Sequence, residues 1–171
     1  MRWSMLETVK FSPRIWFFLG FLSCVFLLSM GAYFQFVDGL EPCPLCISQR
    51  IAIFVTGVVF LIAALHNPTA TGIKIYAIIG MCSALCGGGI SIRHIWLQHL
   101  PKDQVPECAD IGYIFAYFPL SETIKLMLSG TGECADINWT MLGLSMPAWT
   151  LLAFLMLAAL SAGQLWNRPK L

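Results

Sequence analysis

Residues 15–37 read IWFFLGFLSCVFLLSMGAYFQFV, an uncharged run of 23 residues closed by Arg14 on one side and Asp38 on the other. A bilayer core of about 30 Å takes about 20 apolar residues to cross as a helix, so this stretch is long enough to span. Three further runs follow. They are 51–65, which reaches spanning length only if the helix starts near Pro44 and the span covers about 45–65, then 75–92 between Lys74 and Arg93, and 149–165. Hydrocarbon offers the backbone no hydrogen bonds, which leaves helices or a closed barrel, and no period-2 alternation supports a barrel. The expected fold is an all-α membrane protein. It is a four-transmembrane-helix bundle in one domain covering 1–171, with outer loops at about 38–44 and 93–148. A cleaved signal peptide is the alternative for the first run, but its length exceeds the usual apolar region of about 7–15 residues.

Composition agrees. Hydrophobic residues make up 58% of the chain and charged residues 11%, against about 45–50% and about 25% in soluble domains. That excludes an ordinary soluble fold. A net charge of +1 without a basic stripe excludes a nucleic-acid partner. The lipid bilayer is the expected surrounding.

Orientation follows the distribution of Lys and Arg near the span ends. Arg2, Lys10, Arg14, Lys74, Arg168 and Lys170 place both termini and the connection between spans two and three in the cytoplasm. The other side holds Arg50, Arg93, Lys102 and Lys125 together with eight of the nine acidic residues. Within the long outer loop, Ile111 to Phe118 is rich in Tyr and Phe, and Ser121 is placed to cap a short helix through Leu128. An apolar face of Ile124, Met127 and Leu128 suits that helix to the membrane interface or to packing on the bundle.

Seven cysteines occur in the chain. Cys43-Pro44-Leu45-Cys46 stands at the outer mouth of the second span. Pro44 disfavours helical geometry at Cys43 and suits the first helical position, so Cys43 reads as the N-cap, exposed, and Cys46 as the third helical residue. Unpaired N–H groups and the positive dipole end there favour thiolate, the species that exchanges disulfides. Arg50 lies one turn deeper on the same face as Cys46. It reads either as a side chain snorkelling to the interface or as a guanidinium that holds the Cys46 thiolate and donates to an electron-rich oxygen.

Cys108 and Cys134 fall in the long loop, with 25 residues between them. A structural disulfide is the ordinary reading of such a pair on an oxidising side. A second dithiol beside a CxxC also permits oxidising equivalents to pass between them. Four-cysteine zinc sites usually carry CxxC-type spacing in both halves, and only one half has it here, so no metal is expected. Cys24, Cys82 and Cys86 lie inside spans. Cys82 and Cys86, beside Gly87, Gly88 and Gly89, read as small residues that let helices approach. His94, just past the third span, reads either as an interface residue, the more ordinary reading of its position, or as a polar contact for something bound at the outer surface. No nucleotide-binding or c-type haem motif is present, and a lipid-soluble quinone fits as the acceptor for a dithiol at the membrane surface.

The segments PCPLCISQR (42–50), SIRHIWLQHLP (91–101) and GLSMPAW (143–149), with the pair Cys108 and Cys134, resemble the DsbB family of bacterial membrane thiol oxidoreductases over nearly all of 15–165. The resemblance implies location in the bacterial inner membrane and reoxidation of a periplasmic DsbA-like thiol oxidase. Cys108 and Cys134 would take the electrons, with Cys108 forming the mixed disulfide with the partner. Cys43 and Cys46 would reoxidise that pair and deliver the electrons to ubiquinone or menaquinone. The resemblance puts Cys46, Arg50 and His94 at the quinone. The rival from another class is a four-span scaffold with a disulfide-stapled loop, as in tetraspanins. It predicts a Cys-Cys-Gly motif, which is absent.

Overall fold

The computed structural model describes residues 12–101, 104, 121, 127–130 and 132–166. Four long helices are found among them: α1 (Pro13–Phe36), α2 (Pro44–His66), α3 (Ala70–Gln98) and α4 (Met146–Trp166). All four are long and apolar enough to cross a membrane. Cys108, the 111–118 run and most of the helix expected between Ser121 and Leu128 lie outside the described residues, as do Arg2, Lys10, Arg168 and Lys170.

The first two helices begin where proline permits, with Pro13 and Pro44 in their first turns. There the missing N–H costs nothing, because no intrahelical acceptor faces it. α2 ends at Asn67 in the left-handed conformation, φ 45°. α3 is longer than the 75–92 expected. It runs straight through Lys74 and Arg93 for 29 residues, roughly 43 Å at 1.5 Å per residue. Arg93 does not stop it because its guanidinium leaves the helix axis and lies 4.6 Å over the Trp96 ring. α4 starts at Met146, three residues before the expected 149, directly out of a small hairpin the sequence analysis did not foresee. Its strands β1 (Thr140–Met141) and β2 (Leu144–Ser145) pair antiparallel around Leu142 and Gly143, at φ 54° and 79°. Ser145 Oγ donates to Gln98 Oε1 at 2.7 Å and Trp149 Nε1 to the Met141 carbonyl at 3.1 Å, which ties the hairpin to the ends of α3 and α4.

α1 packs on α2, α2 on α3 and α3 on α4. The core holds Phe17, Cys24, Ile53, Phe60, Ala77, Ala84, Phe154 and Leu157. Large rings fill notches left by glycine. A Cβ on Gly20 or Gly80 would meet the Phe60 ring at 2.5 or 2.6 Å, and one on Gly87 would meet Phe154 at 2.2 Å. Without a hydrophobic driving force inside lipid, such close fit is what holds helices together. Cys24 belongs to this set, buried with its Cβ 3.0 Å from the position a Gly57 Cβ would take. Cys82 and Cys86 do not, contrary to expectation. Both are exposed, because the packed face of α3 is the row Ala77, Gly80, Ala84, Gly87 and Ser91, and the i, i+4 cysteine pair falls off that row. Outward-facing apolar side chains such as Phe18, Phe26, Phe54, Ile79 and Leu155 are the surface that lipid would cover.

Candidate functional site

At the start of α2 the backbone of Cys43 is extended, φ −66° and ψ 165°, and its sulfur accepts the Cys46 N–H at 3.4 Å. The expected N-cap is therefore present. One orphan helix donor is satisfied by sulfur in place of the usual oxygen. The Cys43 thiol donates to the Cys46 sulfur at 3.2 Å, which makes Cys46 the acceptor, the role a thiolate fills. The cap is buried, not exposed as expected: Cys43 is 7% accessible and Cys46 is half-buried. A hydrogen bond with Cys134 draws the Cys43 pKa down, but the bond to Cys46, burial and the Cys46 charge outweigh it, and the thiol is pushed up to about 12.

What buries Cys43 is the long loop returning to the bundle. The turn η1 (Gly132–Cys134) brings Cys134 into the protein, fully buried with Leu45 and Leu97 around it. Two contacts dock that loop. Arg93 donates to the Ser129 carbonyl at 3.2 Å, and Gly130 turns at φ 79° so close to the helices that a Cβ would lie 2.5 Å from Leu97 Cδ1 and 2.9 Å from Leu45 Cδ1. His94 completes the cluster. It is 3% accessible, its Nε2 lies 3.8 Å from Cys43 Sγ, and its Nδ1 lies 3.4 Å from Gln49 Nε2. It also bonds to the Cys134 backbone. Of the two readings of His94, its burial and its place in the cluster favour the polar contact over the interface residue. The side chain turns inward because α3 continues past Arg93 with its packed face unchanged.

Arg50 points toward α1. Its Nη1 donates to Gln35 Oε1 at 2.5 Å and its Nη2 to the Gly31 carbonyl at 2.8 Å. Snorkelling would turn the head to water, whereas this head is held by protein. Gly31 gives it room, since a Cβ there would lie 3.1 Å from Arg50 Nε. Cys43, Cys46, Arg50 and His94 all line one pocket, whose walls include Phe34, Pro42, Asn138 and Trp139. The rings of Phe34 and Trp139 are 5.1 Å apart at 56°. The pocket therefore offers sulfur, a guanidinium with donors to spare beyond its two bonds, and aromatic walls.

Of the expected site residues, the structure gathers Cys43, Cys46, Arg50, His94 and Cys134; Cys108 lies outside the described residues. Gln35, Gly31, Gln49, Gly130 and the Phe34–Trp139 pair were not singled out from the sequence. Gly130 carried no motif, and Gln35 and Gln49 are uncharged residues inside or beside apolar runs. A polar residue within a span is a signal that could have found both glutamines.

Comparison with known proteins gives a consistent picture. The family model described as Disulfide bond formation protein DsbB matches residues 13–164. The chain is 57% identical over 160 residues to Disulfide bond formation protein B of Methylococcus capsulatus, covering 93% of this chain and 98% of that one. It is 51% identical over 158 residues to the protein of that name from Nitrosococcus oceani, covering 92% and 94%. With the one from Hahella chejuensis it shares 49% over 158 residues, covering 92% and 96%.

Proposed function

The chain belongs to the DsbB family of disulfide bond formation proteins, a multi-pass bacterial membrane protein, and from that premise we propose that it reoxidises a DsbA-like dithiol oxidase in the periplasm and passes the electrons through two cysteine pairs to a membrane quinone. The setting is the inner membrane, with both termini in the cytoplasm and the cysteine cluster on the periplasmic side.

The observation that carries this reading is the meeting of Cys134 with the Cys43 and Cys46 pair. Cys43 bonds to Cys46 on one side and to Cys134 on the other. Disulfide exchange needs a thiolate to approach a disulfide sulfur, and Cys43 is within reach of both partners without movement of a helix. The proposed sequence starts with the Cys108–Cys134 and Cys43–Cys46 disulfides. A partner thiolate attacks Cys108, and Cys134 leaves as thiolate. Cys134 then attacks Cys43, and the electron pair moves to Cys46, which leaves as thiolate. When the partner's second thiol resolves the mixed disulfide, the partner departs oxidised and Cys108 returns as a thiol. Cys108 next attacks Cys134 and frees Cys43, restoring the loop disulfide and leaving the dithiol Cys43 and Cys46. A quinone bound in the pocket would accept two electrons and two protons. Cys46 would supply the electrons and re-form its bond with Cys43. Arg50, which lines the same pocket, would hold the acceptor's oxygen, and Phe34 and Trp139 would hold the plane of its ring. The buried polar pair His94 and Gln49 would keep Cys43 in place as a neutral thiol between exchanges.

The test is capture of the partner. Cys134→Ser should leave Cys108 with no resolving thiol and accumulate a reductant-sensitive adduct with a reduced DsbA-like oxidase on non-reducing gels. Cys108→Ser should accumulate much less. Absence of an adduct with either variant, with the wild-type loop disulfide surviving excess reduced oxidase, would return the loop pair to a structural staple.

A further inference from the structure

Cys43 Sγ, His94 Nε2 and Cys134 Sγ all lie within 4.8 Å of one another, and all three residues are buried. A tetrahedral zinc ion with Zn–S of about 2.3 Å and Zn–N of about 2.0–2.1 Å holds its ligand atoms about 3.6–3.8 Å apart. The Cys43 to His94 separation of 3.8 Å is within a few tenths of an ångström of the sulfur–nitrogen value. We propose that the dithiol form of this cluster binds one borderline-soft divalent cation of the zinc class through Cys43, Cys134 and His94, and that the oxidised form does not. The spacing along the chain gave no hint of this, because the third ligand is a histidine 40 residues before Cys134.

Three features support the assignment beyond proximity. The ligand set suits the ion, since thiolate and imidazole together select zinc over magnesium or calcium. Charge suits the burial: two thiolates and a neutral imidazole cancel the ion's two positive charges, so the complex enters a desolvated pocket without net charge. The second shell is built. Gln49 faces His94 Nδ1 at 3.4 Å, and an amide turned to present its oxygen would accept Nδ1–H and fix the tautomer that leaves Nε2 for the metal. A water or the neutral Cys46 thiol, whose sulfur lies 3.2 Å from that of Cys43, takes the fourth position without disturbing that charge balance.

Binding changes no oxidation state. Two S–H bonds give way to two S–metal bonds and release two protons to solvent. A disulfide at Cys43 or Cys134 removes a thiolate ligand, so occupancy follows the redox state. The consequence for the relay rests on the function proposed above: a bound ion takes Cys43 and Cys134 out of exchange and holds the reduced protein idle. The binding itself does not depend on that function.

The experiment uses the full chain in detergent, reduced with a thiol-free phosphine and titrated with Co²⁺, then Zn²⁺. Sulfur-to-cobalt charge transfer in the near ultraviolet and intense visible bands of a tetrahedral ion should grow to one equivalent and be displaced by Zn²⁺. Both should be absent from protein oxidised beforehand with diamide. Cys134→Ser and His94→Ala should each weaken binding at least tenfold, and the Cys82→Ser, Cys86→Ser double variant should bind as wild type. X-ray absorption on the zinc-loaded wild type reads the ligands without any substitution and should require nitrogen as well as sulfur. The proposal is overturned by absence of the bands in reduced protein, by undiminished binding in either Cys134→Ser or His94→Ala, by their loss in the Cys82, Cys86 variant, or by an all-sulfur shell. None of these readouts uses a quinone or a partner oxidase, so failure here leaves the relay standing and failure of the relay leaves this site testable.

Discussion

Replacing Gly130 with alanine should undock the loop that carries Cys134 while leaving the four helices in place. Gly130 sits at φ 79°, and a Cβ there would come 2.5 Å from Leu97 Cδ1 and 2.9 Å from Leu45 Cδ1. A non-glycine residue in the left-handed region costs about 1–2 kcal/mol, and forcing a methyl into a packed apolar contact typically costs about 1–3 kcal/mol more. The smaller sum, about 2 kcal/mol, already lowers the docked-to-undocked ratio about 30-fold at 1.4 kcal/mol per factor of ten. The assay is the rate at which a short thiol cross-linker joins Cys43 to Cys134 in a background carrying Cys46→Ser and Cys108→Ser. It should fall, by up to about that factor, because cross-linking follows the docked fraction. Gly39→Ala is the control, since Gly39 is also at positive φ, 67°, with nothing within 4 Å of its added Cβ. It should carry the backbone cost in another loop and leave the cross-link untouched. An unchanged rate in Gly130→Ala would refute the argument that this glycine brings Cys134 to the Cys43 and Cys46 pair.

Other expectations follow from the same geometry. Arg50→Ala removes hydrogen bonds from a charged donor, each worth about 1.5–3 kcal/mol, and should slow quinone reduction roughly 10- to 100-fold without blocking membrane insertion; Lys, lacking the planar fork, should restore only part, and unchanged kinetics in the Ala variant would reduce Arg50 to a clamp on α1. With its pKa pushed up to about 12, Cys43 is a neutral thiol at neutral pH, so in Cys46-intact reduced protein its alkylation should keep rising as pH increases from about 7 to 10; a plateau near the ordinary value of about 8.5 would contradict the buried, hydrogen-bonded thiol. Gly87→Val places a side chain into the Phe154 ring and should lower thermal stability in detergent by about 1–3 kcal/mol, whereas Gly89→Val, with open space around it, should change little.

The sequence made the membrane architecture legible because long uncharged runs have one physical solution in lipid, and it made the Cys43 cap legible because Pro44 fixes the local backbone. It does not reveal the ends of α3, because Lys74 and Arg93 look like boundaries although a long cation reaches the interface from inside a helix. Side-chain direction was the harder matter. His94 and the Cys82, Cys86 pair share a helix, but which face of α3 packs is decided by Gly80, Ala84 and Gly87 meeting Phe60 and Phe154, contacts between segments far apart in the chain. The approach of Cys134 to Cys43 was not readable for the same reason, since it depends on a loop glycine fitting against Leu45 and Leu97.

The central claim is that electrons from a partner dithiol cross both cysteine pairs and reach a quinone. An anaerobic single turnover with purified protein, one bound quinone and one equivalent of reduced DsbA-like oxidase tests it directly through the quinone absorbance. The account predicts one quinone reduced per partner dithiol oxidised, abolished by Cys46→Ser and by Cys134→Ser alike. A quinone that stays oxidised while the partner is oxidised, or one still reduced in either variant, would contradict it.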